Sequence, residues 1–327
     1  MRLHAPHFWF RPNVGPISLL LRPISLLVTA ITRKRLRRNG YHSLVPVLCC
    51  GNITVGGSGK TPLTIDLTER LQKRGYHPQI LSRGYKRRSH ANMRVDLQTS
   101  TAQMVGDEPL LLARTAPTWV GANRAQTAQL AIKDKADCLV MDDGLQNPSL
   151  FKNLSILVLD GATGLGNRQV LPAGPLREPI DDILKRIKAA VILGDDIHNL
   201  KSLFPQSIFV AQAKLIPGPE IRHLLGQRII AFAGIGHPEK FFNMLKDAGV
   251  PPIRSLSFPD HHTYSKTDIQ RLENLSNESG TTLVTTAKDA VKLPSSLQDK
   301  ISVVNVELLW QEPTAPDHIL DLLFENS

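Results

Sequence analysis

The stretch GNITVGGSGKTPLT, residues 51–64, sets Gly56, Gly57 and Gly59 ahead of a lysine and a threonine, between an apolar run and a segment of helical periodicity. Glycines let backbone N–H groups approach an anion, and a helix N-terminus adds positive charge behind them. In such a loop the lysine reaches the β- and γ-phosphates and the threonine hydroxyl binds Mg²⁺. The usual pattern, G-x-x-x-x-G-K-[ST], would begin with glycine at position 54, where this chain has Thr54. Gly56, Gly57 and Gly59 keep the backbone open to the anion, so Thr54, Val55, Gly56, Gly57, Ser58, Gly59, Lys60 and Thr61 form the expected nucleotide loop. Asp142 and Asp143 follow the apolar CLVM and precede Gly144. A carboxylate at the end of a hydrophobic strand is the second half of such a site, so Asp142, Asp143 and Thr61 are the expected Mg²⁺ ligands.

Other candidates are more ambiguous taken singly. Asp107, in VGDEPLLLA, stands where a helix N-cap belongs, with Pro109 in the first turn, and cap is its default reading. FPDHHTYS places Asp260, His261 and His262 before a capping box, Ser265 to Asp268. No further Cys or His lies at ligand spacing, so a turn with one functional imidazole is favoured over zinc. Arg83, Arg124 and Arg177 each follow a strand or sit in a Gly/Pro-rich loop. They are candidates to clamp phosphate, with exposed, solvated arginine as the alternative.

The elements that must position these residues alternate. Apolar runs at 46–51, 78–82, 118–122, 137–143, 154–160 and 189–195 are separated by helical patterns at 60–74, 108–115 and 123–133. Near-continuous apolar strands between helices predict a parallel sheet covered on both faces, with ligands at the carboxyl ends of the strands. The segment IFVAQAKLIPGPE is predicted as an extended connection. A second α/β series follows, with strands at 228–236, 253–257, 282–287 and 301–306 and helices at 238–247 and 266–277. The expected architecture is α/β: a P-loop NTPase-like parallel-sheet domain over 41–210 and a second, smaller α/β domain with linker strands over 211–327. A basic, amphipathic N-terminal arm, residues 1–40, belongs to the first domain.

With 327 residues the chain is long enough for two domains, and 42% apolar against 21% charged residues places it among globular chains. Aromatics at 5% do not advertise a base-stacking surface. Cys49, Cys50 and Cys138 make no disulfide framework, which reads as a reducing compartment. The net charge of +10 is concentrated in the first forty residues, where eight basic residues and no acid occur. There Phe8, Trp9 and Phe10 precede leucines and then a basic cluster, while Arg22 and Pro23 interrupt the apolar run. The longest uninterrupted piece falls well short of the roughly 20 residues of a spanning helix. The segment therefore reads as lying on a membrane surface, its cations meeting anionic head groups at about 1 kcal/mol each. A helix packed on its own domain is the alternative.

Taken together, GNITVGGSGKTP, ILSRGY, VGDEP, MDDGLQNP, VLPAGPLREP, AFAGIGHPEKFF, FPDHHTY and VTTAKDAVKL resemble the signature stretches of the tetraacyldisaccharide 4′-kinase family, the lipid A kinases of Gram-negative bacteria. The resemblance runs from the basic arm to about residue 293. It implies two α/β domains and transfer of the γ-phosphoryl of ATP, with Mg²⁺, to the 4′-hydroxyl of a tetraacylated glucosamine disaccharide 1-phosphate. It also implies work at the cytoplasmic face of the inner membrane, while the few aromatics and the near-neutral body of the chain count against a nucleic-acid partner binding through the arginine-rich arm. By position it makes Asp107 and His261 a catalytic pair alongside Lys60, and Arg83, Arg124 and Arg177 candidates for substrate. The chain departs from many members at Lys86, Arg87 and Arg88 after SRGY, at Asn147 after DDGLQ, and at Ala287 before Lys288. The main rival is a membrane-associated P-loop ATPase switch of the partitioning type. Such loops carry an extra lysine before the glycine pair, where this chain has Val55.

Overall fold

The computed structural model describes residues 5–11, 13–57, 59–89, 91–277 and 280–325. Among these, strands β1 (Val47–Gly51), β2 (Pro78–Ser82), β3 (Met93–Arg94), β4 (Thr118–Val120), β5 (Cys138–Asp142), β6 (Leu154–Asp160), β7 (Ala189–Leu193), β8 (Phe209–Pro217) and β13 (Val306–Trp310) form a nine-stranded sheet. Its order is β13-β8-β7-β6-β1-β5-β2-β4-β3, and only β3 and β13 run antiparallel to their neighbours. Strands β9 (Arg228–Ala233), β10 (Arg254–Ser257), β11 (Thr281–Thr286) and β12 (Ile301–Val304) form a second, all-parallel sheet in the order β10-β9-β11-β12.

The apolar runs become central strands because both faces of the sheet are covered. In β1, Leu48 and Cys50 face one core with Leu63, Leu67 and Leu71, while Val47 and Cys49 face the other with Ile53, Leu81 and Ala128. Helix α2 (Lys60–Lys73) supplies the leucines of the first core. It ends at Gly75, φ 88°, where the Tyr76 N–H donates to the Leu71 carbonyl and the Gly75 N–H to that of Gln72, a Schellman closure.

The observed boundaries amend the expected ones at the C-terminus. The 209–217 segment is not a free connection but a full strand. Residues 306–324, expected in the second unit, return to the first. Strand β13 pairs antiparallel with β8, Val306 opposite Pro217 and Trp310 opposite Ala213. The helix Ala315–Phe324 then packs Ile319, Leu320 and Leu323 into the core under α2. Arg74 clamps it through Asp317 at 2.9 Å and Asp321 at 2.7 Å. The two units are thus joined by a pair of hydrogen-bonded strands.

The N-terminal arm also departs from expectation. One continuous 21-residue helix, α1 (Pro16–Leu36), runs through Arg22 and Pro23. A proline there removes a single backbone donor, and the rest of the helix carries it. By length and composition α1 could cross a membrane. Its buried residues are Ser18, Ser25 and Thr29, whereas Leu20, Leu26 and Leu27 stand 81%, 69% and 62% exposed. The polar stripe is the one that docks. The Ser25 hydroxyl donates to the Val170 carbonyl at 2.8 Å and accepts from the Ala173 N–H at 3.2 Å. Asn167 Nδ2 donates to the Ser18 hydroxyl at 3.0 Å.

Candidate functional site

Gly59 precedes α2 in the left-handed conformation, φ 75°, and Lys60 opens the helix. A Cβ on Gly59 would lie 2.3 Å from Leu193 Cδ1, whereas Gly56 and Gly57 have nothing within 4 Å. The loop is therefore tight where it enters the helix and open where an anion would approach. Thr54 bridges to Leu176, and the Val55 N–H donates to the Pro175 carbonyl at 2.9 Å. The position that departs from the usual glycine is thus held by the PAGPLRE segment. Thr61 lies half-buried in the first turn. Ser58 lies outside the described residues.

Beside this loop, Asp142 ends β5 with its side chain buried, and the Thr64 hydroxyl lies 3.2 Å from its Oδ1. Thr64 follows Lys60 by one helical turn and faces the same way, a spacing the sequence displays but that is meaningless without its target. Burial, with the charges of Glu108 and Asp143, pushes the Asp142 carboxyl up to about 7. Asp143 has φ 53°, a left-handed conformation uncommon for a non-glycine residue. That turn aims its carboxylate at Lys60 Nζ, 3.9 Å away, and Arg177 Nη1, 3.1 Å away. Burial raises its pKa, but Lys60 and Arg177 outweigh that and hold it below the usual carboxylate range.

The arginines separate. Arg177 is in the cluster. Arg124 is 1% exposed, donates to the Gly121 carbonyl, and leaves its Nε without a protein partner. Burial lowers its pKa to about 10, although Asp142 and Asp143 raise it. Arg83 stands exposed just after β2.

A second cluster crosses between the two units. Asp107 is not an N-cap; Gly106, φ 96°, takes that position without a side-chain cap bond, and Asp107 is the first residue of the helix Asp107–Leu112. Its carboxylate is buried against His261, whose Nδ1 lies 2.8 Å from Oδ2 and 3.0 Å from Oδ1. Burial raises the Asp107 carboxyl, but the His261 hydrogen bond and the charges of Lys288, His261 and Lys292 lower it further, to about 2. His261 also sits at positive φ, 54°. The turn that carries it is fixed by the expected capping box, with Ser265 Oγ accepting from the Asp268 N–H at 3.1 Å. A cleft of about 1120 Å³ opens onto this pair, its walls including Tyr85, Arg88, Arg114 and Lys292.

Sequence reasoning missed Glu108 and the place of Lys288, which gather around the pair together with Asp260. Lys288 Nζ lies 3.2 Å from Glu108 Oε1 and 3.7 Å from Asp260 Oδ1. Lys288 follows β11 at the start of the short helix Ala287–Ala290. Its neighbour Asp289, fully buried, accepts from the Gly234 N–H, Thr286 and Tyr264 at 2.9, 2.7 and 2.9 Å. A buried acid tied by that many donors anchors the turn that presents Lys288.

A glycine loop at the head of a helix, paired acids at the end of a neighbouring strand, and an acid–imidazole pair brought across by a second α/β unit thus sit on a mixed α/β fold built around a large parallel sheet. Residues 17–324 match the family described as LpxK, tetraacyldisaccharide-1-P 4′-kinase. A tetraacyldisaccharide 4′-kinase of Gluconobacter oxydans (strain 621H) is 62% identical over 327 residues, covering all of both chains. One of Gluconacetobacter diazotrophicus is 45% identical over 99% of each. The crystal structure of LpxK from Aquifex aeolicus in complex with ATP matches with a TM-score of 0.76 and 27% identity, over 94% of this chain and 98% of that one. The chain belongs to the tetraacyldisaccharide 4′-kinase family and is an ATP-dependent kinase.

Proposed function

We propose that this chain transfers the γ-phosphoryl of ATP to the 4′-hydroxyl of a tetraacylated glucosamine disaccharide 1-phosphate, giving lipid IVA, and that its residues divide the work as follows. Lys60 and the amides of Gly56, Gly57, Gly59, Lys60 and Thr61 hold the phosphates. Asp107 accepts the proton of the attacking sugar hydroxyl, and His261 orients it. The observation carrying this division is the 2.8 Å contact between Asp107 and His261, from different units, beside a cleft of about 1120 Å³. A site assembled from two units admits its acceptor before it is complete, which restrains hydrolysis by water.

Thr61, Asp142 and Asp143 would hold Mg²⁺. They fit it: two adjacent carboxylates and a hydroxyl match an ion that takes one or two carboxylates and fills its other positions with phosphate and water. Among the described residues no group of three or more His, Cys, Asp or Glu is arranged for a metal. When bound, Mg²⁺ supplies neutralisation of charge on the phosphate oxygens. Arg177 and the buried Arg124 add fixed positive charge on the same side, and Arg83 is the exposed arginine available to an incoming anion.

The membrane role follows from α1. A helix that docks through serine and threonine and turns leucines outward has its apolar stripe available to lipid. The polar stripe grips residues 167–173, and Arg33 reaches Asp182 at 2.6 Å, so the helix is fastened on both sides of the segment carrying Arg177. This docking supports a peripheral position for the protein at the surface where an acylated acceptor resides, the cytoplasmic face of the inner membrane.

Incubation with γ-labelled ATP, Mg²⁺ and the disaccharide 1-phosphate in mixed micelles tests the reading. The expected product is a labelled bisphosphorylated lipid. ATP hydrolysis with no labelled lipid would favour the ATPase-switch alternative.

A further inference from the structure

We infer that Lys288 is a positioning residue for the transfer: its ammonium faces Nε2 of His261 and so directs the Nδ1 proton of the ring at Asp107. This rests on the reading of Asp107 and His261 as the proton-accepting pair.

The geometry is specific. Lys288 Nζ lies 3.5 Å from His261 Nε2, on the far side of the ring from Asp107. A lysine ammonium has donors and no acceptor, so a nitrogen facing it is satisfied as a lone-pair acceptor. The proton then resides on Nδ1, where the Asp107 carboxylate accepts it at 2.8 Å. A second proton on Nε2 would set two cations 3.5 Å apart.

The surrounding charges sharpen the need for such a device. Asp107 and Glu108 face the ring region from the helix Asp107–Leu112, and Asp260 comes from the histidine's own turn, with Oδ2 at 3.8 Å from Nε2. All three favour the imidazolium. Tyr85 stands edge-on to the ring at 5.3 Å. His262 turns instead to Asp268 at 3.0 Å, and Lys292 is taken by Asp289 at 2.7 Å. Lys288, bridged to Glu108 and Asp260, is the ammonium that faces Nε2. It stays charged because Glu108, Asp107 and Asp260 outweigh the burial that lowers its pKa.

The consequence falls on Asp107. Next to a neutral N–H donor its carboxylate is oriented yet free to take a proton. Next to an imidazolium it would be locked in an ion pair and a poorer base. The Lys288–Glu108 contact also runs parallel to His261–Asp107, so adjacent residues of one helix are each bridged to the second unit. The imidazole is thus set when the units meet.

The test is an ¹⁵N NMR titration of His261 in the full-length protein, assigned by its loss in His261→Gln, alongside the pH profile of kcat/KM. In Lys288→Met the imidazole pKa should rise by about one unit or more, and the acid limb of kcat/KM should move to higher pH with it. Lys288→Arg should restore both. Lys288→Gln, which keeps a donor without the charge, replaces the Met variant if that one does not fold. An unchanged His261 titration in the uncharged variants overturns the role of Lys288 while leaving the pair intact. Unaltered turnover in His261→Gln overturns the pair itself, and with it any catalytic consequence of Lys288.

Discussion

Asp107 and His261 are 154 positions apart in the chain, belong to units built on different sheets, and meet at 2.8 Å with the carboxylate buried. Replacing the acid should therefore show in the chemistry. Asp107→Asn should lower kcat by about 10²–10⁴-fold while leaving ATP affinity nearly unchanged, as measured by steady-state kinetics and nucleotide titration. Normal turnover would leave Asp107 a structural acid only.

The same contact has a pH signature. With the folded carboxyl held near 2 against an ordinary 3.8, its pairing stabilises the fold at all pH above about 4. That stabilisation, on the order of 2 kcal/mol, is lost as pH falls from about 4 toward 2. Denaturant melts of the wild type and Asp107→Asn should differ most above pH 4 and converge in acid.

Asp142 behaves in the opposite sense. Its folded carboxyl sits near 7, so between its ordinary 3.8 and 7 the folded state holds a proton that the unfolded chain has released. Stability from this site therefore falls as pH rises through that window. Asp142→Asn should melt higher than wild type at pH 8 in chelator and resemble it near pH 4. Added Mg²⁺ should raise the wild-type Tm at pH 8 and leave the variant's in place.

The glycines of the loop should separate. Gly59→Ala combines positive φ with a Cβ 2.3 Å from Leu193, and should cost about 1–3 kcal/mol of stability as well as nucleotide binding. Gly57→Ala meets no protein atom within 4 Å. It should change stability by about 0.5 kcal/mol or less, yet weaken ATP binding, because the methyl occupies the space of the approaching phosphate. Equal melting temperatures for the two variants would contradict this.

On α1, Leu20→Glu with Leu27→Glu should leave thermal stability in detergent unchanged and reduce co-sedimentation with anionic vesicles several-fold. Ser25→Leu should do the reverse, since its hydroxyl serves both the Val170 carbonyl and the Ala173 N–H. Vesicle binding unaffected by the paired glutamates would remove lipid from the role of that face.

The glycine loop and the acids at the end of β5 were legible in the residue order because each is a local device. Gly59, Lys60 and the first turn of α2 are contiguous, and a run of apolar residues ending in Asp142 and Asp143 announces a buried strand with its polar end outward. The parallel sheet was legible for the same reason, from periodicity alone. Asp107 misled as a cap, since a short acid before Pro109 has the same local pattern whether or not an imidazole waits for it. The glutamate and lysine around His261, the return of β13 and the last helix to the first sheet, and the outward leucines of α1 were decided by tertiary structure. In each, the deciding partner lies far away in the chain, and short-range pattern carries no record of which distant surface, or which solvent, a side chain will meet.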